Sequence, residues 1–290
     1  MAPPPGLRVV DALARERAGG VERYGRWLVA ALEARGVATD VGVTLALKPR
    51  AGAEIARTGD GVSAAWVAAT GRSRWRWARH VARERAAVGA ARRVIALSPM
   101  VAAELAHWYG RHDAQVLLNP VFAPSAAPSS ATAGALVFVG HGFSRKGLDH
   151  AFAALVHLPG VSLHVVGADG HAARWRARAR RLGLSNRLIF HGEVEAAPLI
   201  AGAAALVHPA RYEPYGNVVA EALAAGVPAV ASPATGAACL LHPDHIWDPT
   251  SGPPGLARCL RVALDTPRPP VAAPPSPAAH LDALLALVAR

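Results

Sequence analysis

The chain has 290 residues, more than one core comfortably fills, and an apolar content of 52% that excludes a disordered or fibrous protein. A net charge of +11, carried almost wholly by arginine because lysine occurs only at Lys48 and Lys146, predicts attraction to polyanions such as nucleic acid, an anionic membrane or phosphorylated substrates. Cys239 and Cys259 have neither metal-site nor redox-motif spacing, which points to two buried, reduced thiols, and the first residues hold no apolar core long enough for a signal peptide.

In chain order, "LRVV" (Leu7 to Val10) reads as a buried strand followed by a loop ending in Gly19-Gly20. "VERYGRWLVAALEARG" has apolar residues at helical spacing, with Gly36 just past the end. "DVGVTLAL" and "RVIAL" are strand candidates, and "SPMVAAELAHWYG" offers Ser98 as N-cap with Pro99 at the first helical position. "QVLLNP" closes the first half. The small-residue and proline run 123–134 reads as a linker. Strand–helix alternation then resumes: "ALVFVG" before a helix from about Lys146, "VSLHVVG" before one from about His171, then "RLIFHG", "AALVHPA" and "VPAVAS". The uncharged segment from Ala222 to Pro243 has the length of a membrane span, but Gly226, Pro228, Pro233 and Gly236 divide it, which predicts core rather than membrane. A proline-rich stretch precedes a last helix over about Ala279 to Ala289.

This pattern predicts an α/β chain of two Rossmann-type parallel-sheet domains: 1–122, a linker 123–134, a second domain 135–266, and 267–290 as a proline-rich linker with the terminal helix. Ligands of such sheets sit outside the carboxyl ends of the strands.

Two stretches could carry chemistry. In "RYEPYGNVVAEALAAG" (Arg211 to Gly226), Gly216-Asn217 opens a helix whose Val218, Val219, Ala222 and Leu223 face a core. The backbone N–H groups of Gly216, Asn217 and Val218, with the helix dipole behind them, form an anion site. Glu213 stands just before it, within reach of a sugar hydroxyl. Glu221 lies a turn further along among apolar residues, where a carboxylate needs hydrogen-bond partners and a ribose diol would satisfy both oxygens. Solvent exposure of Glu221 and a capping role for Glu213 would account for each glutamate taken alone. In "VFVGHGFSRKGLDHAFAAL" (Val137 to Leu155), a strand enters a glycine-rich turn with Arg145-Lys146 at the helix start, suited to a diphosphate, though an ordinary exposed basic turn has the same look. Gly19-Gly20 permits close approach to main-chain N–H groups and equally suits a plain tight turn.

"EPYGNVVAEALAAGVPAVAS" resembles the E-x7-E signature of the retaining glycosyltransferases of family 4, which have the two-domain GT-B fold. Arg145-Lys146-Gly147 is similar to that family's phosphate-binding turn, and "GGVERYGRWLVAALEARG" to its N-terminal glycine loop and helix. "VGHGFSRKGLD" and "LVHPARYEPYG" most resemble the enzymes that glycosylate lipopolysaccharide core sugars. The resemblance implies that Arg145 and Lys146 hold the diphosphate of a nucleotide sugar with Gly19 and Gly20 behind it. It implies Glu213 on the donor sugar, Tyr215, Gly216, Asn217 and Val218 around the donor, and Glu221 on the ribose. Glu213 and Asp60 are the implied catalytic residues. The reaction implied is transfer with retention to a glycan or lipid-linked acceptor. No cofactor and no metal are expected beyond the donor, for which a UDP-sugar is the expectation; no D-x-D pair occurs in the chain.

Two departures stand out. The first half lacks a strand–helix unit that the family usually has between Gly36 and "DVGVTLAL", so the first domain is expected to be shortened. In "TGDGVSAAW", Ser63 stands where the family often has histidine. A remnant that binds nucleotide without transferring sugar is therefore an alternative. "GRSRWRWARHVARERAAVGAARR" and "RWRARARR" interleave arginines with tryptophans, as a solvated helix face or as a surface for anionic lipid. The expected location is cytoplasmic, peripheral at the inner leaflet. A basic nucleic-acid binder is the rival class, but no recognition motif supports it and no nucleic-acid partner is expected.

Overall fold

The computed structural model describes residues 6–10, 20–122 and 127–289, and the chain divides into two compact units, 1–120 with 275–290 and 121–274.

The first unit is a five-stranded parallel sheet in the order β1-β2-β3-β4-β5: Leu7–Val10, Val43–Ala46, Ile55–Arg57, Arg93–Ala96 and Gln115–Val116. Its helices are α1 (Gly20–Ala34), α2 (Ser63–Thr70), α3 (Arg74–Ala90) and α4 (Pro99–Tyr109). Ser98 caps α4, its hydroxyl accepting from the Val101 N–H at 3.2 Å, and Gly110 closes it in the left-handed region. The strand β3 and helix α2 were not anticipated. β3 is three residues long and fully buried, so it shows no alternation to read.

Alternation along the strands puts Leu7, Leu45, Ile55, Ile95 and Leu117 on one face. There they pack with Tyr24, Leu28 and Leu32 of α1 and with Leu281, Leu284 and Val288 of α10 (Pro277–Ala289). The terminal helix thus completes the core of the first unit. Arg93 locks it further by donating to the Leu287 and Val288 carbonyls at the helix end. Strand order here simply follows the chain, with no described strand beyond β1, the side on which a Rossmann sheet would continue. That is how the expected shortening looks in three dimensions.

The second unit holds β6 (Leu136–Val139), β7 (Leu163–Val166), β8 (Leu188–Gly192), β9 (Ala205–His208) and β10 (Ala229–Ala231), all parallel, in the order β10-β9-β6-β7-β8. β6, β7 and β9 are buried at every residue, as strands covered on both faces must be, which explains their continuous apolar runs. The helices are α5 (Leu148–Val156), α6 (Ala172–Arg181), α7 (Ala197–Gly202), α8 (Asn217–Ala224) and α9 (Gly252–Asp265). Phe138, Phe152, Trp175 and Trp247 fill the core, each such side chain contributing roughly 1.5–3 kcal/mol.

Part of the small-residue run is anchored to this unit. The Ser129 N–H donates to the Pro198 carbonyl at 2.9 Å, and the buried Thr132 hydroxyl donates to Leu199 at 2.9 Å. The segment from Ala222 to Pro243 is a helix end, a strand and a turn, and no described helix is long and apolar enough to cross a membrane. The expectation of two buried thiols needs correcting. Cys239 is exposed, because its short turn turns Ala237, Ala238 and Leu240 inward instead, and Cys259 is half-buried.

Candidate functional site

The strand order of the second unit reverses between β6 and β9: from β6 the sheet runs on through β7, and from β9 through β10. Loops leaving two such strands separate and open a crevice at the carboxyl edge. The two loops here are 140–147 and 209–216, the two stretches singled out by chemistry in the sequence.

The loops touch. Gly147, with φ +77°, lies so close to the Pro209 carbonyl that an added Cβ would sit 1.9 Å from that oxygen. Only glycine meets both the left-handed backbone and the approach. Gly216, at φ +91°, caps the start of α8, and a Cβ there would sit 2.8 Å from Thr235 Cγ2.

Glu213 lies at the centre. Its N–H donates to the Ala234 carbonyl at 2.8 Å and its carbonyl accepts from Gly236 at 2.9 Å, so the loop after β10 fixes the backbone. Its Oε2 accepts from Lys146 Nζ at 2.5 Å and from Arg145 Nη1 at 3.0 Å. Arg145 is oriented by a second bond from Nη1 to the Tyr212 carbonyl at 2.9 Å. Burial alone would raise the Glu213 carboxyl, but Lys146, His208 and Arg145 outweigh it and hold it well below the usual carboxylate range.

His208, the last residue of β9, is fully buried with Nε2 3.8 Å from Glu213 Oε2, and neither ring nitrogen has a hydrogen-bond partner among the described residues. Burial pushes it below the ordinary histidine range, and the two cations beside it add to this against the pull of Glu213. A neutral imidazole under a carboxylate shared by two cations leaves the cluster with a net charge of one plus, suited to an anion that can displace Glu213.

Tyr215 is buried, its phenol pushed up by burial, and its carbonyl accepts from the Ala237 N–H at 2.6 Å. Asn217 and Val218 form the first turn of α8, and Glu221 sits half-buried one turn on. Gly20 begins α1, whereas Gly19 lies outside the described residues. Asp60 is in an exposed turn after β3, paired with Lys48 Nζ at 3.0 Å. Ser63 opens α2, where its N–H donates to Glu84 Oε1 at 2.8 Å and its hydroxyl to Oε2 at 2.5 Å. His80 Nε2 lies 3.0 Å from that hydroxyl, so an imidazole from α3 stands against the position expected to hold one.

Sequence reading missed the Arg211 fork, which donates to both oxygens of Asp149 at 2.8 and 2.6 Å and so ties the two loops together. The partners are 62 residues apart and carry no local signal.

Residues 133–265 match the family described as Glycosyl transferases group 1. The matched residues lie within the second unit. Over 107 residues the chain is 38% identical to the lipopolysaccharide glucosyltransferase WaaG of Escherichia coli, covering 35% of this chain and 28% of that one. Over 142 residues it is 35% identical to a glycogen synthase of Mycobacterium tuberculosis, covering 46% of this chain and 34% of that one. The matched segments thus span about a third of each of these relatives or less. In structure, the chain is similar to Anabaena Alr3699/HepE, solved in complex with UDP and glucose, with a TM-score of 0.66 at 18% identity, covering 98% of this chain and 94% of that one. The two parallel sheets are those of the GT-B glycosyltransferase fold.

Proposed function

We propose that the chain is a retaining hexosyltransferase that moves a sugar from a nucleotide-diphosphate donor to a glycan or lipid-linked acceptor without a metal ion. The observation that carries this reading is the convergence of Arg145, Lys146 and Glu213 at the point where strand order reverses. In this reading the second unit takes the donor and the first supplies the acceptor surface together with Gly19, Gly20 and Asp60.

A diphosphate entering the crevice takes over the cations that Glu213 now occupies. The released carboxylate accepts from hydroxyls of the donor sugar. As the bond to the anomeric carbon breaks, negative charge grows on the diphosphate, and Arg145, Lys146 and the N-terminus of α8 stabilise it in place. The anomeric carbon acquires oxocarbenium character next to the Glu213 carboxylate. Glu221, one turn along α8, takes the ribose diol, and Tyr215, Gly216, Asn217 and Val218 shape the donor wall. UDP is the expected nucleotide, in line with HepE, and glucose the first sugar to try, in line with WaaG.

The chain would work at the inner leaflet through the exposed basic face of α3, where Trp75 is 92% exposed among arginines. The test is turnover of UDP-glucose with the anomeric configuration of the product read by NMR. An α-linked product from the α-linked donor, lost on Glu213→Gln, supports the reading. Nucleotide binding without any transfer would support the non-catalytic alternative instead.

A further inference from the structure

Helix α6 places five arginines in ten residues, and its faces differ. Trp175 and Ala179 point into the core, with the Trp175 indole N–H donating to Asp169 Oδ2 at 2.7 Å, and Arg176 reaches over the Phe190 ring. The orientation of the helix is therefore fixed by packing. Arg174, Arg178 and Arg181, at helical spacing i, i+4 and i+7, then share one flank, where with Ser144 and Asp149 they line a cavity of about 80 Å³.

The charge in this cavity is not balanced. Asp149 is its one carboxylate, and both its oxygens are already engaged by the Arg211 fork. Arg178 Nε is enclosed with no hydrogen-bond partner among the described residues. Like charges at i, i+4 disfavour the helix, and an enclosed guanidinium N–H without an acceptor adds to the cost. At the donor turn, by contrast, Glu213 Oε2 pairs with both cations. The α6 flank has no such occupant.

We propose that this cavity is a second oxyanion site, separate from the donor turn, that takes a phosphate dianion. A tetrahedral anion offers an oxygen to each of the three guanidinium groups, where a planar carboxylate offers two in all. The volume admits one such group and excludes a nucleotide. Ser144, whose carbonyl accepts from Arg211, is adjacent in sequence to Arg145, so an anion here sits on the same loop as the donor turn. The phosphate comes either from solution or from a phosphomonoester headgroup on a membrane.

The test is calorimetric titration of the full chain with inorganic phosphate at constant ionic strength in chloride buffer. Saturable binding is expected. It should weaken at least ten-fold in Arg178→Gln, and in Arg181→Gln should the more buried substitution impair folding. Arg180→Gln, on another face, and Lys146→Ala, at the donor turn, should leave it unchanged. Absence of saturable binding overturns the proposal. So does equal weakening by Arg180→Gln, which would mean diffuse charge, or loss in Lys146→Ala alone, which would place the phosphate at the donor turn. Flotation with phosphatidylcholine vesicles containing phosphatidic acid separates the sources. Arg178-dependent binding upholds the site with a headgroup as ligand, and phosphate binding without vesicle binding upholds it with a soluble one. UDP titration of the same variants keeps this result separate from that of the donor site.

Discussion

At the scale of single residues, the central question is how a carboxylate comes to lie against two cations. Glu213 provides a sign that can be checked. Its folded pKa is depressed, so the stability it contributes is complete above its ordinary value of 4.5 and is lost as pH falls toward the folded value. Acid denaturation of Glu213→Gln should therefore be flatter below pH 4.5 than that of the wild type, by chemical denaturation at several pH values. A steeper or unchanged profile would contradict the assignment. Gly147 gives a second prediction. With φ +77° and a backbone oxygen where a Cβ would go, Gly147→Ala should cost about 2 kcal/mol or more of stability, measured by urea unfolding. Gly160 shares the positive φ but has open space around it, so Gly160→Ala should cost less. Glycines of both kinds look alike in the sequence; only the neighbour tells them apart.

At the scale of elements, α10 shows what the sequence could and could not convey. Its helical run is plain, but its docking is not, because the contacts join residues more than 150 positions apart. His280 is central. Its Nδ1 donates to the Leu118 carbonyl at 2.7 Å, which leaves Nε2 to accept from the Tyr24 hydroxyl at 2.8 Å. Burial, reinforced by Arg57, pushes its pKa down to about 4. An unfolded histidine charges near 6.5, so protonation favours the unfolded chain first. The helix should then lose up to about 3 kcal/mol of docking stability as pH falls from about 6.5 to about 4. Hydrogen exchange of α10 at pH 7 and pH 5 checks this, and His280→Gln should remove most of the difference. The βα units of the second half were legible because buried parallel strands and glycine punctuation are local features. β3 was not, being too short to show a period, and neither was the Arg211–Asp149 fork, which depends on two loops meeting.

At the scale of the whole molecule, an excess of eleven positive charges concentrates on particular faces. Helix α3 is mostly exposed, with Arg74, Arg76, Arg79 and Arg83 around Trp75. Sedimentation with anionic vesicles should show binding that weakens as salt rises, and Trp75→Ala should weaken it several-fold further at fixed salt. Binding that ignores both changes would remove the inner-leaflet placement while leaving the chemistry intact. The candidate site was legible as residue types because Glu213, Arg145 and Lys146 sit in distinctive local company. Their meeting follows from strand order, which no stretch of the sequence displays. Asp60 and Gly20 lie in the other unit, and their part in the reaction rests on the proposed function.

The most direct measurement is calorimetric titration with UDP, alongside GDP and ADP, on the wild type and on Lys146→Ala. With Lys146 on the donor diphosphate, UDP should bind saturably and the substitution should weaken it at least about ten-fold, through loss of a charge-assisted contact to phosphate. A folded protein that binds none of the three nucleotides, or binds UDP equally well without Lys146, would contradict this assignment.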